Sequence, residues 1–147
     1  MAKVMYDSVD SESIFENAAL VAGYVDGVYA WSDDAWARHP SAVKVRIAVF
    51  ADTNDGDCLD CERGDALPED CPGWIAMRQA AGVVVPTIYC SIATMPYIHE
   101  LCDGLTFDVW VADWTGEPHI PDGAAACQYA AKGAYDVTLC SDTWPRA

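Results

Sequence analysis

Asp60 and Glu62 stand two residues apart in the run Leu59-Asp60-Cys61-Glu62. In an extended chain, side chains alternate between faces, so the two carboxylates point the same way, about 7 Å apart at the backbone. Two like charges that close, partly shielded from water, drive one pKa upward. A carboxyl group held protonated near neutral pH serves as a general acid, and a carboxylate beside it steadies developing positive charge. Cleavage of a glycosidic bond needs both.

Further acids fall at the ends of apolar runs: Asp7 after the first, Asp113 after the sixth, and Asp136 in the eighth. Carboxylates are poor strand formers and costly to bury, so each needs a reason. A strand-end Asp can simply cap the next turn. Four strands presenting acids to one rim would instead form a site. Tyr89, Trp110, Trp114, Tyr129 and Trp144 lie in or beside the same strand ends. Their rings can stack on sugar faces or fill a core.

Other arrangements carry less. Cys58-x-x-Cys61 with Cys71 downstream has zinc-ligand residue types. In a strand, however, those first two sulfurs face opposite ways. Asp52-Thr53-Asn54-Asp55-Gly56-Asp57 resembles the start of a calcium loop, but its glycine comes one place early and no twelfth-position Glu follows, so it reads as a turn. His39, His99 and His119 have no Ser or Cys context of a nucleophilic triad. No metal or cofactor is expected.

The elements that must position these residues follow from hydrophobic patterning. Strand-like runs occur near 4–7, 24–30, 45–50, 58–62, 84–90, 107–113, 124–129 and 135–140. Between the early runs lie helical signals. Ser13-Ile14-Phe15-Glu16 fits a capping box, with Ile14, Ala18 and Val21 on one stripe. Ser32-Asp33-Asp34 caps a short helix that ends before Pro40. Pro68-Glu69-Asp70 opens a helix ending at Gly82, and Thr94 with Pro96 opens another. Eight strands with few late helices imply an α/β fold: a compact, parallel (β/α)8 TIM-like barrel with reduced outer helices in its C-terminal half. An open doubly wound sheet is the fallback.

A single domain over residues 1–147 fits the length. The apolar fraction of 52% argues against disorder, and no apolar run is long enough to span a membrane. A net charge of −15 repels phosphate backbones and disfavours nucleic acid as a partner. Seven Cys is an odd number, so at least one thiol is free or pairs with another chain. Met1-Ala2-Lys3-Val4 runs straight to Asp7 and Asp10, unlike a signal peptide. Synthesis in a host cytoplasm is therefore expected, with later release at lysis or incorporation in a virion.

An ordered set of segments spans nearly the whole chain: Gly23-Tyr24-Val25 with Tyr29-Ala30-Trp31; Leu59-Asp60-Cys61-Glu62; Pro72-Gly73-Trp74; Pro86-Thr87-Ile88-Tyr89-Cys90; Trp110-Val111-Ala112-Asp113; Gln128-Tyr129; and Tyr135-Asp136-Val137. In these the chain resembles the glycoside hydrolase family 25-like barrels. Within them it resembles the short glycoside hydrolase-like subgroup DUF1906 of actinobacteria and their phages. The resemblance implies lysozyme-like (muramidase) hydrolysis of the β-1,4 bond between N-acetylmuramic acid and N-acetylglucosamine in peptidoglycan. It implies Glu62 as proton donor with Asp60 as its partner, and Asp7 and Asp136 as acids on the first and last strands. Tyr89 and Asp113 would position substrate, beside the strand-end aromatics Trp110 and Tyr129. The substrate's own N-acetyl group would be the nucleophile. Cys127 stands where relatives often have Trp. The same barrel could instead be a non-catalytic virion component, in the capsid or tail, that binds cell-surface glycan or phage structural proteins.

Overall fold

The computed structural model describes residues 3–146. Eight strands close into a barrel in chain order: β1 (Lys3–Asp7), β2 (Leu20–Tyr24), β3 (Val43–Ala48), β4 (Cys58–Asp60), β5 (Thr87–Ser91), β6 (Asp108–Ala112), β7 (Ala126–Ala131) and β8 (Asp136–Cys140). β1 to β7 run parallel. β8 does not: it pairs antiparallel with both β7 and β1, closing the seam with a turn of a few residues where a parallel strand needs a crossover. The all-parallel expectation is corrected at this one strand.

The helices are few. α1 (Asp33–Ala37) is capped by Ser32, whose Oγ accepts from the Ala35 N–H at 3.1 Å. α2 (Cys71–Ala80) buries Cys71, Trp74, Ile75 and Arg78, the spacing of one helical face, and its chain leaves through Gly82 at φ +104°. α3 (Met95–Leu101) buries Met95 and Ile98. Together α2 and α3 cover Leu59, Ile88, Cys90, Val109 and Val111 on the outside of the barrel. Among the described residues no α-helix follows Leu101, and none is long and apolar enough to cross a membrane.

The capping-box helix near residue 14 is not formed. Only a 3-10 turn at Ser11–Ser13 precedes β2, which starts at Leu20 rather than near 24. Twofold alternation wins over the helical stripe there. Leu20 and Ala22 join the barrel interior, while Val21 faces outward and packs with Ile14, Ala18 and Trp31. The chain after β2 then folds back as a loop instead of continuing as a strand, bringing Trp31 across Gly23. A Cβ at Gly23 would sit 2.5 Å from the Trp31 ring. The indole is anchored by its N–H donating to the Ser8 carbonyl at 3.1 Å.

The interior holds Met5, Leu20, Val45, Ile47, Cys58, Tyr89, Trp110 and Cys140. Trp144 closes the lower end, its indole N–H donating to Thr87 Oγ1 at 2.9 Å. Gly23→Ala is expected to lower unfolding free energy by about 1–3 kcal/mol in urea titration, because the new methyl overlaps a pinned indole. An unchanged midpoint would show that Trp31 is free to move aside.

Candidate active site

The site is assembled from strand ends. Asp7 is the last residue of β1, Tyr24 of β2 and Asp60 of β4, so all three reach the upper rim. Asp136 is the first residue of β8. A parallel β8 would carry it to the opposite end of the barrel. Because β8 runs the other way, Asp136 pairs directly with Asp7 on that same rim. The ladder continues one step past β4 through the Cys61 N–H to the Tyr89 carbonyl at 2.8 Å. Glu62 follows, beyond the strand yet still at the mouth. A tight turn then closes with Asp65 N–H to Glu62 O at 3.0 Å, helped by Gly64 at φ +94°. It folds Asp65 back until carboxylate oxygens of Asp60, Glu62 and Asp65 lie within 4.8 Å of one another.

Asp7, Tyr24, Asp60, Glu62, Tyr89, Trp110, Trp114, Gln128 and Asp136 line one cavity of about 170 Å³. It is continuous with two others. One of about 340 Å³ shares Tyr24, Asp60 and Glu62, and one of about 160 Å³ shares Asp7, Tyr24 and Asp136. The mouth is thus a groove with the acids at its middle. A separate depression of about 320 Å³ at the opposite end, around Trp144, Lys44 and Arg146, contains no such carboxylate pair.

Gln128 is the hub of the floor. It is 3% exposed, and its Nε2 donates to both oxygens of Asp7 at 3.0 and 3.2 Å. Its Oε1 accepts from the Tyr89 hydroxyl at 2.7 Å and from the Trp114 indole N–H at 3.2 Å. Tyr89 meets Trp110 edge to face with centroids 4.8 Å apart, and the Trp110 N–H donates to Thr138 Oγ1. Trp114 is 56% exposed and forms part of the lip.

Burial sets the protonation. Asp7, 6% exposed, is pushed up to about 7 by desolvation and the Asp136 charge, with Gln128 opposing. Asp60, 2% exposed, is raised by desolvation and by the Glu62 charge. Glu62 is solvent-exposed and also raised, chiefly by desolvation, while its hydrogen bond to Asp60 pulls the other way. Partial drying thus raises both groups, and each one's proton affinity depends on the charge of the other. A hard cation takes six or more oxygens, and Asp60, Glu62 and Asp65 are the one group among the described residues close enough together to supply several of them.

Asp113 and Tyr129, expected to position substrate, are not among the residues that line this cavity. Asp113 turns to His119, with Oδ2 2.8 Å from Nε2. Tyr129 follows the inward-facing Gln128 and so, by alternation, packs against the outer core, at a register shift of β7 against β8. Tyr24 and Gln128 are site residues beyond those singled out individually from sequence. An inward-facing amide in step with Ala126 was the available signal for Gln128. Placing β2 four residues earlier would have put Tyr24 at a strand end. All seven cysteines are buried and free, Cys58 inside the barrel and Cys61 outside it beside Cys71, so no zinc tetrad forms.

No protein-family model matches the sequence, and no curated protein does. Solved structures do match. A glycosyl hydrolase 25 of Streptococcus pneumoniae, a virulence factor participating in host cell invasion, superposes with a TM-score of 0.64 at 15% identity, covering 95% of this chain and 87% of that one. The catalytic domain of the endolysin ply40 from Listeria monocytogenes bacteriophage P40 superposes at 0.59 and 16% identity, covering 97% and 94%. The barrel is the fold these two proteins share. At such identities the likeness concerns the path of the backbone.

The raised Asp7 carboxyl has a consequence for stability. Its ordinary pKa is near 4 and its folded value about 7. The native state therefore binds the extra proton across that interval, and the stability it confers, full below pH about 4, is lost as pH rises to about 7. Asp7→Asn keeps an acceptor for Gln128 and removes the charge. The variant is expected to melt a few degrees above the parent at pH 8 and to converge with it near pH 4. Scanning calorimetry across that range checks this, and parallel pH curves for the two proteins would refute it.

Proposed function

We propose that this chain is a lysozyme-like glycoside hydrolase acting on β-1,4 linkages of peptidoglycan, a small reduced (β/α)8 enzyme of the phage and actinobacterial kind. The observation that carries the reading is the Asp60–Glu62 pair at the mouth of the barrel, lining one cavity with Asp7 and Asp136, with both members of the pair raised by burial. The names of the two structural neighbours, a glycosyl hydrolase and an endolysin, support it.

Glu62, the accessible member, donates its proton to the glycosidic oxygen as the bond from that oxygen to the anomeric carbon breaks. Asp60, deeper in the mouth than Glu62, lies against it and holds it in place. Positive charge grows on the sugar ring, and Asp7 and Asp136 are the carboxylates placed to stabilise it. The oxygen of the sugar's own acetamido group attacks the anomeric carbon. Water then opens the resulting ring and returns a proton to Glu62. Tyr89 and Trp110 are buried and form the floor, so of the three rings in this cavity the exposed Trp114 is the one available to a sugar face.

Glu62→Gln keeps the shape and removes the transferable proton. Release of reducing ends from purified peptidoglycan is expected to fall at least about 10²-fold. Equal rates for parent and variant would remove Glu62 from this role.

A further inference from the structure

The larger cavity on the far side of Glu62 has a composition of its own. Val9, Val28, Tyr29 and Phe50 line it, all of them exposed, Val28 at 93%. Clustered apolar side chains left open to water mark a contact surface. This wall is held firmly. Asp26, at the head of the loop after β2, accepts from the backbone N–H groups of Val49 (2.7 Å) and Phe50 (3.2 Å) and from Thr53 Oγ1 (2.7 Å). The loops after β2 and β3 are thereby bolted together, and a preformed wall gives up little freedom when something docks on it.

The charges here are all of one sign. Asp26, Asp60, Glu62 and Asp65 line this cavity, and Asp7 and Asp136 line those beside it. None of the three cavities has a lysine, arginine or histidine among its lining residues, and Arg63, though next to Glu62 in sequence, is not among them. A second observation points to a missing donor: Asp60 lines this space, and its Oδ1 is buried with no hydrogen-bond partner. Carboxylates facing aromatic rings across a rigid cleft are the chemistry that receives an ammonium group.

We infer that the cavity walled by Tyr29, Phe50 and Asp65 is the subsite for the sugar on the leaving-group side of Glu62, and that it favours an amino sugar with a free, protonated amine over an N-acetylated or anionic one. The ring's apolar face lies on Tyr29 and Phe50 while the ammonium faces Asp65 and the Asp60–Glu62 pair. This assignment rests on the hydrolase reading, because Glu62 defines which side the leaving group occupies.

The test is calorimetric binding near pH 6 with two uncleavable probes. One is an S-linked N-acetylglucosamine tetramer, and the other is the same tetramer with a single free amine at its reducing-end unit. The amine form is expected to bind about tenfold tighter. Asp65→Asn should erase most of that advantage. Phe50→Ala should weaken both probes several-fold. Asp33→Asn, which removes an equal charge on α1, should change neither and so controls for the general field of an acidic protein. Equal affinities for the two probes, or an advantage that survives Asp65→Asn, would overturn the subsite assignment. If Glu62-dependent digestion of peptidoglycan is intact in that case, only the assignment falls. If neither probe binds and digestion fails as well, the hydrolase reading falls with it.

Discussion

Like charges forced to share a small, partly dry mouth are the constraint on which the rest of the molecule turns. Asp7 faces Asp136 directly across the closing seam, and Asp60 lies against Glu62 two residues along the chain. Paired carboxylates opposite one another weaken a sheet, and burying them adds to the cost. The arrangement persists because neighbours hold each acid. Gln128 grips both oxygens of Asp7, and Asp60 and Glu62 lie against each other at the mouth. Stability is given up locally, and the raised affinity of these groups for protons is what results.

Everything around that mouth serves to fix it. A barrel of this length has little outer layer, so rigidity comes from inside: the Tyr89–Gln128–Trp114 hydrogen bonds link β5, β7 and the loop after β6. A saturated amide at the centre, with both its donor and acceptor functions engaged, orients three strands at once. The closing strand does the same at a larger scale. By reversing direction, β8 brings its first residue rather than its last to the chemistry, and it dispenses with one crossover helix.

Much of this was legible in the sequence, and the failures have identifiable causes. The spacing of Asp60 and Glu62 indicated a shared face, and proline and glycine marked α2 and α3 well. The direction of β8 could not be read, because an alternating strand has the same pattern whichever way it runs. The stripe of Ile14, Ala18 and Val21 suggested a helix, but a position seven residues on also suits a strand's outer face, and barrel closure required the strand. Tyr129 shares the parity of Cys127, which also faces outward, so plain alternation already turned it away from the interior. Asp113 shares the parity of Val111, which faces outward, so simple alternation already turned it from the mouth. Gln128 was the informative residue passed over: an amide inside a barrel always has to answer for its hydrogen bonds.

The sequestered sulfurs carry a last implication. Every one of the seven thiols is enclosed by packing, so an oxidant or a disulfide reagent meets them only when the barrel opens. The packed barrel thereby shields its sulfurs from reagents in the surrounding solvent. What limits its lifetime under oxidising conditions is the rate of unfolding, since the first opening that exposes a sulfur becomes an irreversible one.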